Sequence, residues 1–249
     1  MMKIPIEELE KEAYAPIICY PKPTKTELKK RLRELRKLGV KAIEFTGERT
    51  AFNMPVLGKG CVGIVVIAYL NGGKAALKIR RVDADRAEME REAEMLRKAN
   101  SVNVGPKLLA VSPNFLLMQL IDGELLPKWL EKHKEKTMIK PVLRCVLEQC
   151  YCLDCVGLDH GELSHAPKHI IVNRKNVPFI VDFETASLIR RPSNVTAICQ
   201  FLFISGAVAE KVSERLGEKD KKVIIEALRC YKMGRTRENF EKVLEACSF

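Results

Sequence analysis

No stretch of this sequence is apolar for long enough to cross a membrane: the longest run, Val62 to Leu70, is about half a span and contains Gly63. The acidic stretch of Glu7, Glu8, Glu10 and Glu12 is unlike a signal peptide, which would be basic and then apolar, so no secretory leader is expected. A soluble, cytoplasmic protein is therefore expected. Aromatic residues are few, 6% with a single Trp, and internal repeats and low-complexity tracts are lacking, so solenoids and disordered linkers are excluded. The nine Cys are odd in number and irregular in spacing, which fits a reducing compartment better than a disulfide framework.

What is present is an ordinary globular composition, 47% apolar and 30% charged over 249 residues, enough for one large core or two smaller ones. Lys and Arg exceed Asp and Glu by 43 to 32, a net charge of +11 that hints at a polyanionic partner. The excess is concentrated. Residues 24–41 hold eight basic and two acidic side chains.

Residues 1–52 read as a basic, helical N-terminal extension. After the break at Pro21-Lys22-Pro23, Leu28, Leu32, Leu35 and Leu38 recur at helical spacing until Gly39, while Lys29, Lys30, Arg31, Arg33, Arg36 and Lys37 occupy the other faces. A strand over Val40 to Phe45 follows. From Met54 the pattern turns to short strands, Met54 to Gly58, Gly63 to Tyr69 and Lys74 to Arg80, with Asn71-Gly72-Gly73 as hairpin-turn chemistry between the last two. A helix over Asp83 to Ala99 and two strands, Lys107 to Val111 and Asn114 to Leu120, complete a five-stranded region. Beyond Asp122-Gly123 helical patterns dominate: Leu125 to Lys136, Met138 to Val156, Val195 to Ala209, Lys219 to Tyr231 and Thr236 to Cys247. One hairpin interrupts them around Arg174-Lys175-Asn176.

The sharpest local signal is Gly58-Lys59-Gly60-Cys61-Val62-Gly63-Ile64-Val65. Three glycines at these offsets let a backbone turn approach phosphates and offer N–H groups to them. A dinucleotide-binding turn would lead into a helix, whereas Ile64-Val65-Val66-Ile67 continues as strand, giving a strand–turn–strand flap. Lys78, inside the apolar strand Ala75-Ala76-Leu77-Lys78-Ile79, needs an anionic partner if buried. Glu92 shares the inward face of its helix with Met95 and Leu96 and is the expected partner.

In these residues the sequence resembles the protein-kinase-like superfamily. Leu57 to Val65 resembles the glycine-rich loop, Ala75 to Lys78 the third-strand lysine motif, and Arg91-Glu92-Ala93-Glu94-Met95-Leu96 the helix C segment. Met118 resembles the gatekeeper, and Gln119-Leu120-Ile121 the adenine-binding hinge. His160-Gly161-Glu162-Leu163-Ser164 is similar to the catalytic loop, and Ile180-Val181-Asp182-Phe183-Glu184 to the metal-binding D-F-G segment. The likeness covers about residues 54 to 205 and is greatest to the small RIO-like archaeal proteins described as predicted serine/threonine kinases.

The resemblance implies an α+β, two-lobed kinase-like fold with a small lobe at 53–121 and a large lobe at 122–249. It implies ATP and Mg²⁺, or Mn²⁺, as cofactors. ATP is expected on Gly58, Lys59, Gly60, Cys61, Val62, Gly63, Val65, Lys78, Met118, Gln119 and Ile121. Glu162 is the expected base for the acceptor hydroxyl, Lys78 and Glu92 complete the catalytic set, and Asp182 is the metal ligand. Departures are plain. Glu162 stands where Asp is usual, adding a methylene of reach, and the metal-binding Asn is replaced by Pro167, or by His169 if the loop carries a two-residue insertion. Imidazole is a poor Mg²⁺ ligand, so either Asp182 holds a single metal or Glu184 supplies the second carboxylate.

A protein serine/threonine kinase is the leading expectation. A small-molecule phosphotransferase of aminoglycoside- or choline-kinase type and a nucleotide-binding pseudokinase scaffold are its rivals. The basic helix over Lys25 to Lys41 is either solvated or in contact with RNA phosphates. Arg190 and Arg191 either meet an acidic acceptor or form a solvated turn. Cys145, Cys150, Cys152 and Cys155 fit a core helix better than a zinc site. His133 is expected to be exposed, and His160 to brace its loop.

Overall fold

The computed structural model describes residues 2–84 and 89–249. The chain is α+β and divides into two units, Met1–Glu94 with Lys107–Leu120, and Met95–Pro106 with Ile121–Phe249.

In the first unit, β1 (Met2–Pro5) and a short helix α1 (Ala15–Ile18) lead to α2 (Lys25–Lys37). Thr24 starts α2 because its side-chain oxygen accepts the Glu27 N–H at 3.2 Å. The strands that follow are β2 (Ala42–Phe45), β3 (Arg49–Ala51), β4 (Met54–Val56), β5 (Gly58–Lys59), β6 (Gly63–Leu70) and β7 (Gly73–Arg80). The helix α3 (Glu90–Asn100) opens in this unit, and β8 (Leu108–Ser112) and β9 (Phe115–Gln119) close it. The sheet runs β1-β2-β6-β7-β9-β8 with β5 also on β6, all pairs antiparallel. The β6–β7 turn is the expected hairpin, with Leu70 opposite Gly73.

Seven strands stand where five were expected, and the difference lies in residues 1–52. These residues are not an appendage: β2, buried along its whole length, pairs with β6 through Ile43 and Ala68, and β1 pairs with β2. Strand alternation explains why α2 docks here. Ala75, Leu77 and Ile79 of β7 point to one face and share a core with Leu28, Leu32 and Leu35 of α2, whereas Ala76 and Lys78 point to the other. The expected strand over Met54 to Gly58 is divided, β4 pairing with β3 and β5 with β6. The expected helix start at Asp83 runs through residues 85–88, outside the described residues.

Arg31 departs from the sequence reading most sharply. It is fully buried, not on a solvated face. Its Nε donates to Glu27 Oε1 (2.8 Å), Nη1 to the carbonyls of Ile18 (2.9 Å) and Arg80, and Nη2 to Asn114 Oδ1 (3.0 Å). Asn114 donates onward from Nδ2 to Glu34 Oε1 (2.8 Å), and Arg80 Nη2 donates to Asn114 Oδ1 (2.9 Å). The planar, five-donor guanidinium suits this junction because every direction finds an acceptor.

In the second unit, β10 (Gly123–Leu125), β11 (Ile170–Asn173) and β12 (Pro178–Ile180) make a small antiparallel sheet. The helices are α4 (Leu126–Lys132), α5 (Lys136–Cys155), α6 (Asn194–Cys199), α7 (Ala207–Leu216), α8 (Lys221–Met233) and α9 (Arg237–Ala246). The single helix expected over Val195 to Ala209 is broken. A π-helical turn at Gln200–Ile204 follows α6, and Gly206 at φ +91° starts α7 on a new axis. Val142, Val146, Cys150 and Leu153 of α5 are buried, Tyr151 stacks on Phe240 at 4.5 Å, and the cysteine run lies along this helix. Among the described residues no single helix is long and apolar enough to cross a membrane.

Replacing Arg31 with Met leaves the Ile18 and Arg80 carbonyls short of a donor and Glu27 without its ion partner, and the expected loss is roughly 2–4 kcal/mol of unfolding free energy. Arg31→Lys should recover under half, since an ammonium cannot span the same acceptors. Denaturant unfolding of the three proteins measures both, and a wild-type midpoint for Arg31→Met would show the junction to be dispensable.

Candidate functional site

The chemistry-bearing residues of the first unit gather on the sheet face opposite α2. The glycine turn joins β5 to β6 and is closed by the Gly60 N–H donating to the Gly63 carbonyl at 2.8 Å. Gly63 is required by close approach: a Cβ there would meet the Ile79 carbonyl oxygen at 2.8 Å and Lys78 Cγ at 3.2 Å. Gly58 and Gly60 have no such neighbour, since an added Cβ would find only contacts of 3.6 Å or longer. Lys59, Gly60 and Cys61 are exposed, and Val62 is half-buried.

Val65 on β6 is opposite Lys78 on β7, so the lysine stem runs beneath the turn. Lys78 is 5% exposed, and its Nζ lies 2.8 Å from Glu92 Oε2 and 2.9 Å from Oε1. The ion pair expected between them is present. Its geometry matches the burial argument: each partner compensates the other's lost hydration. Met118 sits on β9 opposite Ala76. The Gln119 N–H donates to the Lys107 carbonyl at 2.8 Å and its side-chain oxygen accepts from the Lys107 N–H at 3.2 Å, so this amide is already engaged. Ile121 begins the second unit.

In the second unit the loop from Leu158 to Glu162 is held by buried polar side chains that the sequence reading overlooked. Asp154 on α5 accepts from the Asn194 N–H (2.9 Å), Asn194 Nδ2 (2.7 Å) and the Tyr231 hydroxyl (3.0 Å). Asn194 Oδ1 in turn accepts the His160 N–H at 2.8 Å. Burial pushes the Asp154 carboxyl above its ordinary value, against these donors. An Asp on the inward side of an apolar helix was the available signal. Asp159 and Ser187 exchange backbone hydrogen bonds (2.9 and 2.8 Å), and Thr185 Oγ1 donates to the His160 carbonyl at 3.0 Å. Gly161 has φ +91°, and a Cβ there would lie 2.5 Å from Arg190 Nη2.

Arg190 is thereby occupied, donating from Nε to Asp159 Oδ2 (2.8 Å) and from Nη2 to the Thr185 carbonyl (2.7 Å). Arg191 donates to the Lys232 carbonyl at 2.7 Å. Arg190 serves the loop's own architecture and Arg191 ties to the end of α8, which argues against the acceptor contact considered for them. His160 is fully buried, donates from Nε2 to the Val181 carbonyl (3.1 Å) and meets the Phe183 ring edge-on at 5.2 Å, bracing the loop as expected. His133 is not simply exposed: it is half-buried and stacked on Trp129 at 4.3 Å.

Three side chains converge beside this loop. His169 is 1% exposed, with Nε2 3.0 Å from Glu162 Oε2 and 3.8 Å from Asp182 Oδ2. The shorter approach is poorly aligned for a hydrogen bond, and Nδ1 has no partner among the described residues. Burial holds His169 below the usual histidine value even though both carboxylates push it up. The two carboxylates remain over a third exposed. Asp182 adopts φ +71°, a left-handed conformation uncommon for a non-glycine residue and frequent at functional positions. Glu184 is half-buried two residues on.

Among the described residues no group of three or more His, Cys, Asp or Glu forms a ready cage for a metal. Mg²⁺ needs none, since it takes one or two carboxylates and completes its shell with phosphate oxygens and water. Asp182 fits that requirement, and the neutral imidazole of His169 suits Mn²⁺ better than Mg²⁺. The sequence matches no protein-family model and no curated protein.

Burial pulls the His160 pKa down to about 4. The unfolded chain, with an ordinary histidine near 6.5, binds the proton more readily, so this residue's contribution is complete above pH 6.5 and is lost as pH falls toward 4. The total is roughly 3 kcal/mol. His160→Gln keeps a donor for the Val181 carbonyl without titrating, and it should flatten stability against pH across this window. Superimposable acid limbs for the two proteins would contradict the assignment.

Proposed function

We propose that this protein is an ATP- and Mg²⁺-dependent phosphotransferase of two-lobed, protein-kinase-like form that transfers the γ-phosphoryl group to a protein serine or threonine. The observation that carries the reading is the buried Lys78–Glu92 pair with its stem packed under Gly63. A lysine held inside a sheet by a helix glutamate, directly below an exposed glycine turn, is a costly arrangement for stability alone. It is suited to offering a fixed cation beside an exposed turn to phosphates.

Phosphoryl transfer asks a protein mainly to position groups and neutralise charge. In this reading the glycine turn and Lys78 hold the phosphate chain, and Glu92 keeps the ammonium extended. Asp182 holds the divalent cation, which when bound neutralises charge developing on the phosphate oxygens. Glu162 accepts the proton of the acceptor hydroxyl. Its Oε2 lies 3.0 Å from His169 Nε2.

One observation favours a second reading, a nucleotide-binding pseudokinase. The buried His169 Nε2 lies 3.0 Å from Glu162 and 3.8 Å from Asp182, so the imidazole occupies space beside both carboxylates that a cation or acceptor would need. Turnover decides between them. With purified protein and labelled ATP, Asp182→Asn and Glu162→Ala should each lower transfer by about 10²-fold or more. Equal residual signal in wild type and both variants would sink the mechanism. Thermal stabilisation by ATP without turnover would establish the pseudokinase.

Metal choice supplies an independent check. If His169 joins the cation, wild type should work better with Mn²⁺, and His169→Asn, which offers an oxygen, should shift the preference to Mg²⁺. Identical Mn²⁺-to-Mg²⁺ ratios would leave Asp182 as the protein's metal ligand without His169.

A further inference from the structure

The outer face of α2 is cationic without compensation, and the Arg31 junction makes it so. Lys25, Lys29, Lys30, Arg33, Arg36 and Lys37 are exposed, and none has an acidic partner among the described residues. At 100° per residue they fill one arc of about 140°, about 18 Å long. The helix's only acidic residues, Glu27 and Glu34, do not interrupt that arc. Glu27 accepts from Arg31 Nε, while Glu34 accepts from Asn114 and from Ser112 Oγ (2.9 Å), so both are turned toward the core.

We infer that this face binds the phosphate backbone of a duplex nucleic acid without reading its sequence. A bilayer is a poor occupant, because the apolar stripe that would insert is already buried: Leu28, Leu32 and Leu35 lie in the core. A single strand is disfavoured for another reason. Unpaired bases are held by stacking on aromatic side chains, and Thr26 is the one uncharged side chain within the arc. What remains is a rigid row of cations at one-turn spacing, the chemistry that positions proteins on duplex phosphates. The inference does not rest on the phosphotransfer reading, since no residue of α2 takes part in it.

Fluorescence titration of duplex RNA and duplex DNA by the full chain, across 50 to 200 mM salt, tests it. Contacts to about five phosphates predict a log–log slope near −4.5. The triple variant Lys29→Glu, Arg33→Glu, Arg36→Glu should bind at least about thirtyfold more weakly, with a slope shallower by about 2.7. The control triple Lys140→Glu, Lys221→Glu, Lys222→Glu makes the same charge change at exposed positions of the second unit and should lose far less. Matching affinities for both duplexes fit phosphate-only contact, and a preference for one identifies the polynucleotide. An equal loss in the two triples would reduce the effect to net charge and overturn the inference. Polyglutamate competing as well as the duplex at equal charge would assign the face to an acidic protein instead. Circular dichroism of each variant confirms that a loss is not unfolding.

Discussion

The first unit depends on a guanidinium with nowhere to go but inward. Arg31 gathers the carbonyls of Ile18 and Arg80 and the side chains of Glu27 and Asn114 around one planar group. It therefore joins α1, α2, the end of β7 and the β8–β9 turn. An unpaired buried charge is costly, so the guanidinium ties these four elements to one another. Lys78 lies two residues before Arg80 on the same strand. The junction that anchors the end of β7 thus also holds the strand that carries the lysine.

The second unit solves a similar problem with opposite charge. Asp154 is buried and satisfied by the start of α6 and by Tyr231, and Asn194 relays that anchoring to the backbone of His160. Asp159 performs the same service for the segment from Ser187 to Ser193 through Arg190 and the Ser193 N–H. Loops carry unsatisfied backbone groups, and a carboxylate with several acceptor positions can collect them from different directions. Glu162 and Asp182 stay partly exposed while these bonds hold the chain around them.

Charge placement follows from these two frameworks. Inward-facing Glu27 and Glu34 on α2 answer to the core, and the cations left outside are not neutralised by their own helix. The +11 of the whole chain is therefore less informative than its local distribution, because the sign of a surface is set by which partners the interior has claimed.

Much was legible from residue order alone. Short apolar runs located β6, β7 and β9, Asn71-Gly72-Gly73 located the β6–β7 turn, and leucine spacing located α2, because such patterns are local properties. The burial cost of Lys78 pointed to Glu92, fourteen residues away on the next element. What periodicity could not supply was which charged side chains lie inside. Arg31 is flanked by solvated cations and is set apart from them by acceptors on Ile18, Arg80 and Asn114, the last eighty-three residues later. Residues 1–52 looked peripheral because a basic helix and a short strand carry no sign of the β6 edge they cover. His169 and Arg190 likewise acquire their roles from loops brought together in space. The sequence by itself determined the elements, the glycine turn and the need for buried counter-charges. Only the tertiary structure decided who satisfies them, because hydrogen-bond partners across a fold are chosen by proximity and not by spacing along the chain.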